Sequence, residues 1–122
     1  MKRTALGVGI FFLLASFSGL AGATGEQSAT PEAPTALRLV IVPNGFKLSW
    51  QPYPQEPGVV TGYEIVRSDL ASGPFTTVAA VDRGVSEYID TTASPERIYY
   101  YKIRAVADTV YSPYSNTVTG ER

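Results

Sequence analysis

The 122-residue sequence contains no cysteine and no histidine, and it balances ten Lys and Arg against eleven Asp and Glu. The lack of cysteine excludes disulfides, thiol nucleophiles and cysteine-ligated zinc or iron–sulfur clusters. The lack of histidine excludes a Ser-His-Asp triad and an imidazole base or metal ligand. The formal net charge is −1, so the chain lacks the basic excess typical of nucleic-acid-binding proteins. We therefore expect no cofactor, no metal and no nucleic-acid partner.

Residues 1–23 have the three-part pattern of a secretory signal peptide. Lys2 and Arg3 precede an apolar run over residues 5–14, and small residues lead to Ala21-Gly22-Ala23. The pattern predicts cleavage near Ala23 and secretion to the periplasm or the extracellular space, with membrane contact only during export. The alternative is an uncleaved membrane anchor over residues 5–23, which is barely long enough to cross a hydrocarbon core of about 30 Å.

The segment that follows divides into a linker and a domain. Residues 24–33, TGEQSATPEA, contain no large apolar side chain, so they predict a flexible linker. Removing residues 1–23 leaves eight basic and eleven acidic residues, a net charge of −3. Residues 34–120 are predicted to form one domain, which is large enough to fold on a hydrophobic core alone.

From residue 34 onward the apolar residues alternate with polar ones, as in half-buried strands. Seven such runs occur, at residues 37–41, 46–50, 63–67, 75–81, 86–90, 99–105 and 114–119. The sequence Pro43-Asn44-Gly45 predicts a tight hairpin, since Asn and Gly tolerate a positive φ. Three prolines within residues 51–58 exclude a central strand there. The pattern predicts an all-β, two-sheet antiparallel sandwich of seven strands.

Alternation also assigns the side chains that face the space between the two sheets. The predicted core residues are Leu37, Leu48, Trp50, Tyr63, Ile65, Tyr88, Tyr99, Tyr101 and Ile103.

Residues 34–119 resemble a fibronectin type III domain, an immunoglobulin-like sandwich. The resemblance rests on KLSWQP around Trp50, TGYEIVRS around Tyr63, SPERIYYYKIRAV and SPYSNTV. It implies that Tyr99 is a tyrosine-corner residue, with its ring in the core and its hydroxyl bonded to the backbone of the preceding loop. Ala93 stands where the family usually has leucine, and Glu96 where glycine is common. The smaller alanine predicts less apolar packing between that loop and the core, and the glutamate predicts an altered turn there.

No set of residues predicts catalysis. Glycoside hydrolysis requires two carboxylates facing each other in a cleft, whereas the acidic residues here are scattered along the chain. Asp82, Glu87 and Asp90 lie close in sequence, but we interpret them as a solvated strand end rather than a catalytic or calcium site. We therefore expect no catalytic residues.

Two surfaces are candidates for binding. Tyr53 and Tyr111 lie in the predicted loops 51–58 and 108–112, where stiff amphipathic rings can anchor a partner; alternatively they fold back over the open end of the core. The second surface is the outer face of the third and sixth strands. Val66 and Tyr100, with Lys102 and Arg104, are predicted to point outward there. Alternatively, Glu64 and its basic neighbours simply pair across the strands.

These observations favour an exported, non-catalytic binding or scaffolding module that contacts an unidentified protein in the cell envelope or extracellular space. A carbohydrate-binding accessory domain, with a polysaccharide partner, is the main alternative. A small hydrolase is a third possibility.

Overall fold

The computed structural model describes residues 30–52 and 59–122, and this part of the chain contains eight β-strands. In chain order they are β1 (Thr35–Val42), β2 (Gly45–Gln51), β3 (Gly62–Ser68), β4 (Thr76–Asp82), β5 (Glu87–Asp90), β6 (Ile98–Ala107), β7 (Val110–Tyr111) and β8 (Val118–Glu121). Every strand pair is antiparallel.

The strands form two sheets, as predicted. The smaller sheet has the order β1-β2-β5, and the larger has the order β4-β3-β6-β7, with β8 also paired to β6. One closing strand was predicted at residues 114–119. The structure instead divides this edge into β7 and β8, which pair with opposite ends of β6, so eight strands replace the predicted seven.

The core lies between the two sheets. Eight of the nine residues predicted for it are buried in one hydrophobic cluster, while Tyr88 is only partly buried and packs against that cluster. Phe46 and Ala105 are fully buried there as well. The Phe46 ring meets the rings of Tyr99 and Tyr101 edge-on, with centroids 6.5 and 5.9 Å apart. Burial of each such large apolar side chain stabilises the fold by about 1.5–3 kcal/mol.

A side-chain amide joins the two sheets where β1 approaches the chain between β7 and β8. The backbone N–H of Leu37 donates to Asn116 Oδ1, and Asn116 Nδ2 donates to the Leu37 carbonyl oxygen, both at 3.0 Å. Asn116 thus acts on Leu37 as a neighbouring strand would. The sequence pattern does not predict this contact, because the two residues are 79 positions apart.

The loop before β6 contains the predicted tyrosine corner. Tyr99 is buried in the core cluster, and its hydroxyl oxygen accepts a hydrogen bond of 3.1 Å from the Ser94 backbone N–H, which confirms the prediction. Ala93 is also buried there. Glu96 has a φ of +63°, so it adopts the left-handed conformation that glycine reaches without strain. A residue other than glycine therefore occupies a left-handed position in this turn.

The hairpin between β1 and β2 forms, but not for the predicted reason. Its two connecting residues are Pro43 and Asn44, because Val42 and Gly45 are paired across the strands. Neither Asn44 nor Gly45 has a positive φ. A Cβ atom on Gly45 would overlap the backbone carbonyl oxygen of Asp90 on β5. Glycine is therefore required by the close approach of β2 to β5, not by turn geometry.

The N-terminal boundary of the packed unit lies earlier than predicted. The linker was placed at residues 24–33, but Pro31 is fully buried. Residues 1–29 lie outside the described residues, so the signal peptide remains a prediction. Within residues 30–52 and 59–122, no helix is long and apolar enough to cross a membrane.

We predict that Gly45→Ala lowers the free energy of unfolding by about 1–3 kcal/mol, because the added methyl group forces β2 and β5 apart. Gly84→Ala is the matched control, since a Cβ there meets no atom within 4 Å. Urea unfolding of both variants measures the difference. Equal stability of the two variants would show that β2 and β5 can separate without cost.

Candidate functional site

The edge of the larger sheet beside β6 is irregular between β7 and β8. Val106 pairs with Tyr111, and Tyr101 pairs with Val118. The four residues 102–105 of β6 therefore lie opposite the six residues 112–117 of the edge. Two extra residues must be accommodated, which a regular ladder cannot do.

Two serines accommodate these extra residues. The backbone N–H of Ser112 donates to the Ala105 carbonyl at 2.9 Å, and the Ser112 hydroxyl oxygen accepts the Ala105 N–H at 2.8 Å. Ser115 bonds to Ile103 in the same way: its backbone N–H donates to the Ile103 carbonyl at 2.8 Å, and its hydroxyl oxygen accepts the Ile103 N–H at 3.0 Å. Each serine hydroxyl thus takes the place of a strand carbonyl, so the N–H groups of β6 remain satisfied.

This irregularity places two tyrosines on the same face. Tyr111 and Tyr114 are three residues apart, so a regular strand would direct them to opposite faces. Here both rings lie against the cations of the outer face of β6. Period-two reasoning cannot find this arrangement, although the repeated Tyr-Ser pairs at 111–112 and 114–115 are visible in the sequence.

Five side chains form a continuous ring–cation stack across the outer face of the larger sheet. Its order is Phe75, Lys102, Tyr114, Arg104 and Tyr111. Lys102 Nζ lies 4.2 Å from the centre of the Phe75 ring and 4.3 Å from that of Tyr114. The Arg104 guanidinium lies 4.9 Å from the Tyr114 ring and 3.7 Å from the Tyr111 ring. Each such contact is worth about 0.5–2 kcal/mol, more where water is excluded.

The two cations of the stack differ in their charge partners. Arg104 forms an ion pair of 2.6 Å with Glu64 Oε1, and the Thr77 hydroxyl donates to the other carboxylate oxygen at 2.9 Å. This is the cross-strand pairing that the sequence allowed. In the part of the chain that the structure describes, Lys102 has no carboxylate within ion-pair distance. Among the described residues, the stack therefore has one cation without a carboxylate partner, Lys102.

The predicted outer-face residues do not all remain accessible. Tyr100 is half-buried and precedes Lys102 on the same face. Val66 is only 3% exposed, so the prediction that it forms part of an open face is wrong. The period places Val66 on the correct side of the sheet, opposite Lys102. It is nevertheless buried, on the central strand β3 between β4 and β6.

The predictions for the two loop tyrosines, Tyr53 and Tyr111, have different outcomes. Tyr111 lies on β7, is 46% exposed and is not part of the core cluster, so the alternative in which it covers the core is wrong. Tyr53 lies outside the described residues. The two tyrosines were predicted as one loop site, and only Tyr111 has a described position, at the end of the ring–cation stack.

A buried carboxylate that the sequence did not reveal joins the two sheets. Asp90 was interpreted as part of a solvated strand end, but it is 1% exposed. Its Oδ2 accepts hydrogen bonds from the Tyr101 hydroxyl at 2.6 Å and from Arg67 Nη1 at 2.9 Å. Its Oδ1 accepts from the backbone N–H and the hydroxyl of Thr92, at 2.9 and 2.6 Å. The interpretation as solvated is therefore wrong, because Asp90 faces the space between the sheets.

These partners determine the charge of the cluster. Burial would raise the pKa of Asp90, but the hydrogen bonds from Thr92, Tyr101 and Arg67 outweigh it and hold the pKa below its usual value. Burial and the neighbouring carboxylate raise the pKa of Tyr101. Asp90 is thus ionised at neutral pH and accepts four structural hydrogen bonds. Within the described ranges, no group of three or more acidic residues could hold a metal ion.

We predict that acid destabilises the protein through Asp90. Since the folded-state pKa is lowered, this stabilisation is complete above the unfolded-state pKa of about 4 and is lost as the pH falls through the folded-state value. Unfolding free energies at pH 7 and pH 3 measure the effect. Asp90→Asn is expected to be less stable at pH 7 and to lose less on acidification. An unchanged pH dependence in Asp90→Asn would exclude this role.

The antiparallel two-sheet sandwich with a tyrosine corner defines the class of the protein, and sequence comparison names the family. The sequence model of the fibronectin type III domain matches residues 32–121. The chain belongs to this family.

Two curated relatives are bacterial. The chain is 36% identical over 89 residues to an amylopullulanase of Thermoanaerobacter thermohydrosulfuricus, and 33% identical over 89 residues to one of Thermoanaerobacterium saccharolyticum. Each match covers 73% of this chain but only 6% and 7% of the relatives. The chain therefore corresponds to a small part of those proteins.

Solved structures show the same architecture. An Fn3-like protein from Clostridium thermocellum superposes with a TM-score of 0.63 at 30% identity, covering 75% of this chain and 92% of that one. A β-1,2-glucanase from Parabacteroides distasonis contains a similar region, with a TM-score of 0.64 at 23% identity, over 78% of this chain and 13% of that one. The second likeness concerns the fold alone.

Proposed function

We propose that this chain is an exported, non-catalytic module that binds a protein through the outer face of its larger sheet. The observation that carries the proposal is the fixed position of Tyr111. This ring is 46% exposed, yet the Arg104 guanidinium lies 3.7 Å from its centre. An accessible aromatic ring held by a partly buried cation is a suitable anchor for protein contact.

The preorganisation of the face supports this role. Arg104 is itself held by Glu64 at 2.6 Å, and Ser112 fixes the backbone next to Tyr111 by two hydrogen bonds to Ala105. Side chains that are already ordered lose less conformational entropy when a partner binds. The face can therefore bind with little rearrangement.

The non-catalytic part of the proposal rests on the carboxylates. Asp90 is buried and occupied by structural hydrogen bonds, and Glu64 is paired with Arg104. Neither is available as a general acid or base in a cleft.

Export is supported by the signal-peptide pattern of residues 1–23. The site of action would then be the cell envelope or the extracellular space.

Site-specific photo-crosslinking in the native host tests the proposed face. A benzoylphenylalanine residue at position 111 is expected to give a discrete adduct with one protein. The same residue in place of Ile89 is the control, since Ile89 is similarly exposed, at 40%, on the smaller sheet. Adducts at position 89 but not at 111, or none at either position, would contradict the proposal.

A carbohydrate-binding accessory role is the second candidate, because both curated relatives are named amylopullulanases. The stack argues against it, since Phe75 and Tyr114 are half-buried against Lys102 and of the three rings only Tyr111 is exposed. We expect pullulan in the gel not to retard the native protein during affinity electrophoresis. Retardation that disappears in Tyr111→Ala would favour the carbohydrate role over protein binding.

A further inference from the structure

We infer that the partner presents an acidic polypeptide segment to this face, with a carboxylate bound by Lys102 beside the rings of Phe75 and Tyr114. The inference rests on the proposed function and names the chemistry of the partner at the same site. It follows from the unequal neutralisation of the two cations in the ring–cation stack.

The first argument is the charge of the face. The Arg104 guanidinium is neutralised by Glu64 at 2.6 Å, whereas Lys102, two residues earlier on the same face, has no carboxylate partner among the described residues. On the smaller sheet, Lys47 lies 4.0 Å from Glu87. A partner that contacts the stack therefore meets the unbalanced charge of Lys102, and an acidic side chain matches it.

The second argument is the fixed position of the ammonium group. Two ring centres, at 4.2 and 4.3 Å, hold Lys102 Nζ between Phe75 and Tyr114. Aromatic faces attract the cation but leave its N–H donors without strong acceptors. A charge-assisted hydrogen bond to a carboxylate is stronger than a neutral one, and it strengthens further where a partner excludes water.

The third argument concerns orientation. Residues 24–122 carry a net charge of −3, so most of the surface repels an acidic segment. A local positive charge on an acidic protein attracts such a segment more strongly than the acidic surface around it does. The exposed Tyr111 ring, at the end of the stack, then offers contact to an apolar residue of the same segment.

Binding of fluorescently labelled poly-L-glutamate to the exported protein tests the inference. Fluorescence anisotropy at low salt is expected to show binding that weakens at least roughly tenfold in Lys102→Gln, as for the loss of one charge-assisted hydrogen bond. Lys102→Arg is expected to retain affinity. Lys47→Gln, which removes the same charge from the other sheet, is expected to change little.

Three outcomes would overturn the inference. The first is the absence of binding to poly-L-glutamate. The second is a loss of affinity in Lys47→Gln as large as that in Lys102→Gln. The third is binding of dextran sulfate as tight as that of poly-L-glutamate, which would indicate attraction of any polyanion. If Lys102→Gln fails to fold, amide shifts of the wild-type protein replace it, and poly-L-glutamate must then shift residues 100–104 and 111–115 selectively. If the crosslink at position 111 forms but poly-L-glutamate does not bind, only the inference fails, and the proposed function stands.

Discussion

The candidate surface depends on the pairing of β6 with two serine hydroxyls. Ser112 and Ser115 bond to the backbone of Ala105 and Ile103, so that six edge residues fit against four residues of β6. The buried N–H groups of β6 must have acceptors, and the hydroxyls supply them without a regular strand. This local departure brings Tyr111 and Tyr114 to one face and makes the ring–cation stack possible.

The two faces of β6 use charge in different ways. On the inner face Tyr101 donates to the buried Asp90, which also accepts from Arg67 and so joins the two sheets. On the outer face Arg104 pairs with Glu64, while Lys102 lies between two rings and has no carboxylate partner in the described part of the chain. A buried carboxylate requires all of its partners. A half-exposed cation does not, so the charge of Lys102 remains available to a partner.

The errors of prediction have a common physical origin. The alternation of side chains along a strand predicts which side of a sheet a residue occupies but not what covers that side. Val66 lies on the predicted side and is nevertheless buried, because β3 has a strand on each side. Asp90 ends a short strand, where a carboxylate is usually solvated, yet it points between the sheets. Gly45 follows an asparagine, as in many hairpins, but it is required by the Asp90 carbonyl.

Local sequence patterns predict the all-β class, six of the strands closely and the seventh in part, and the core residues around Trp50, Tyr99 and Tyr101. Period-two burial and turn residues act locally, so they can be read along the chain. The tertiary structure alone establishes the contacts between distant segments, such as Asn116 with Leu37 and Arg67 with Asp90. It also decided which charges were neutralised, because this depends on strands that meet only after the sandwich has closed.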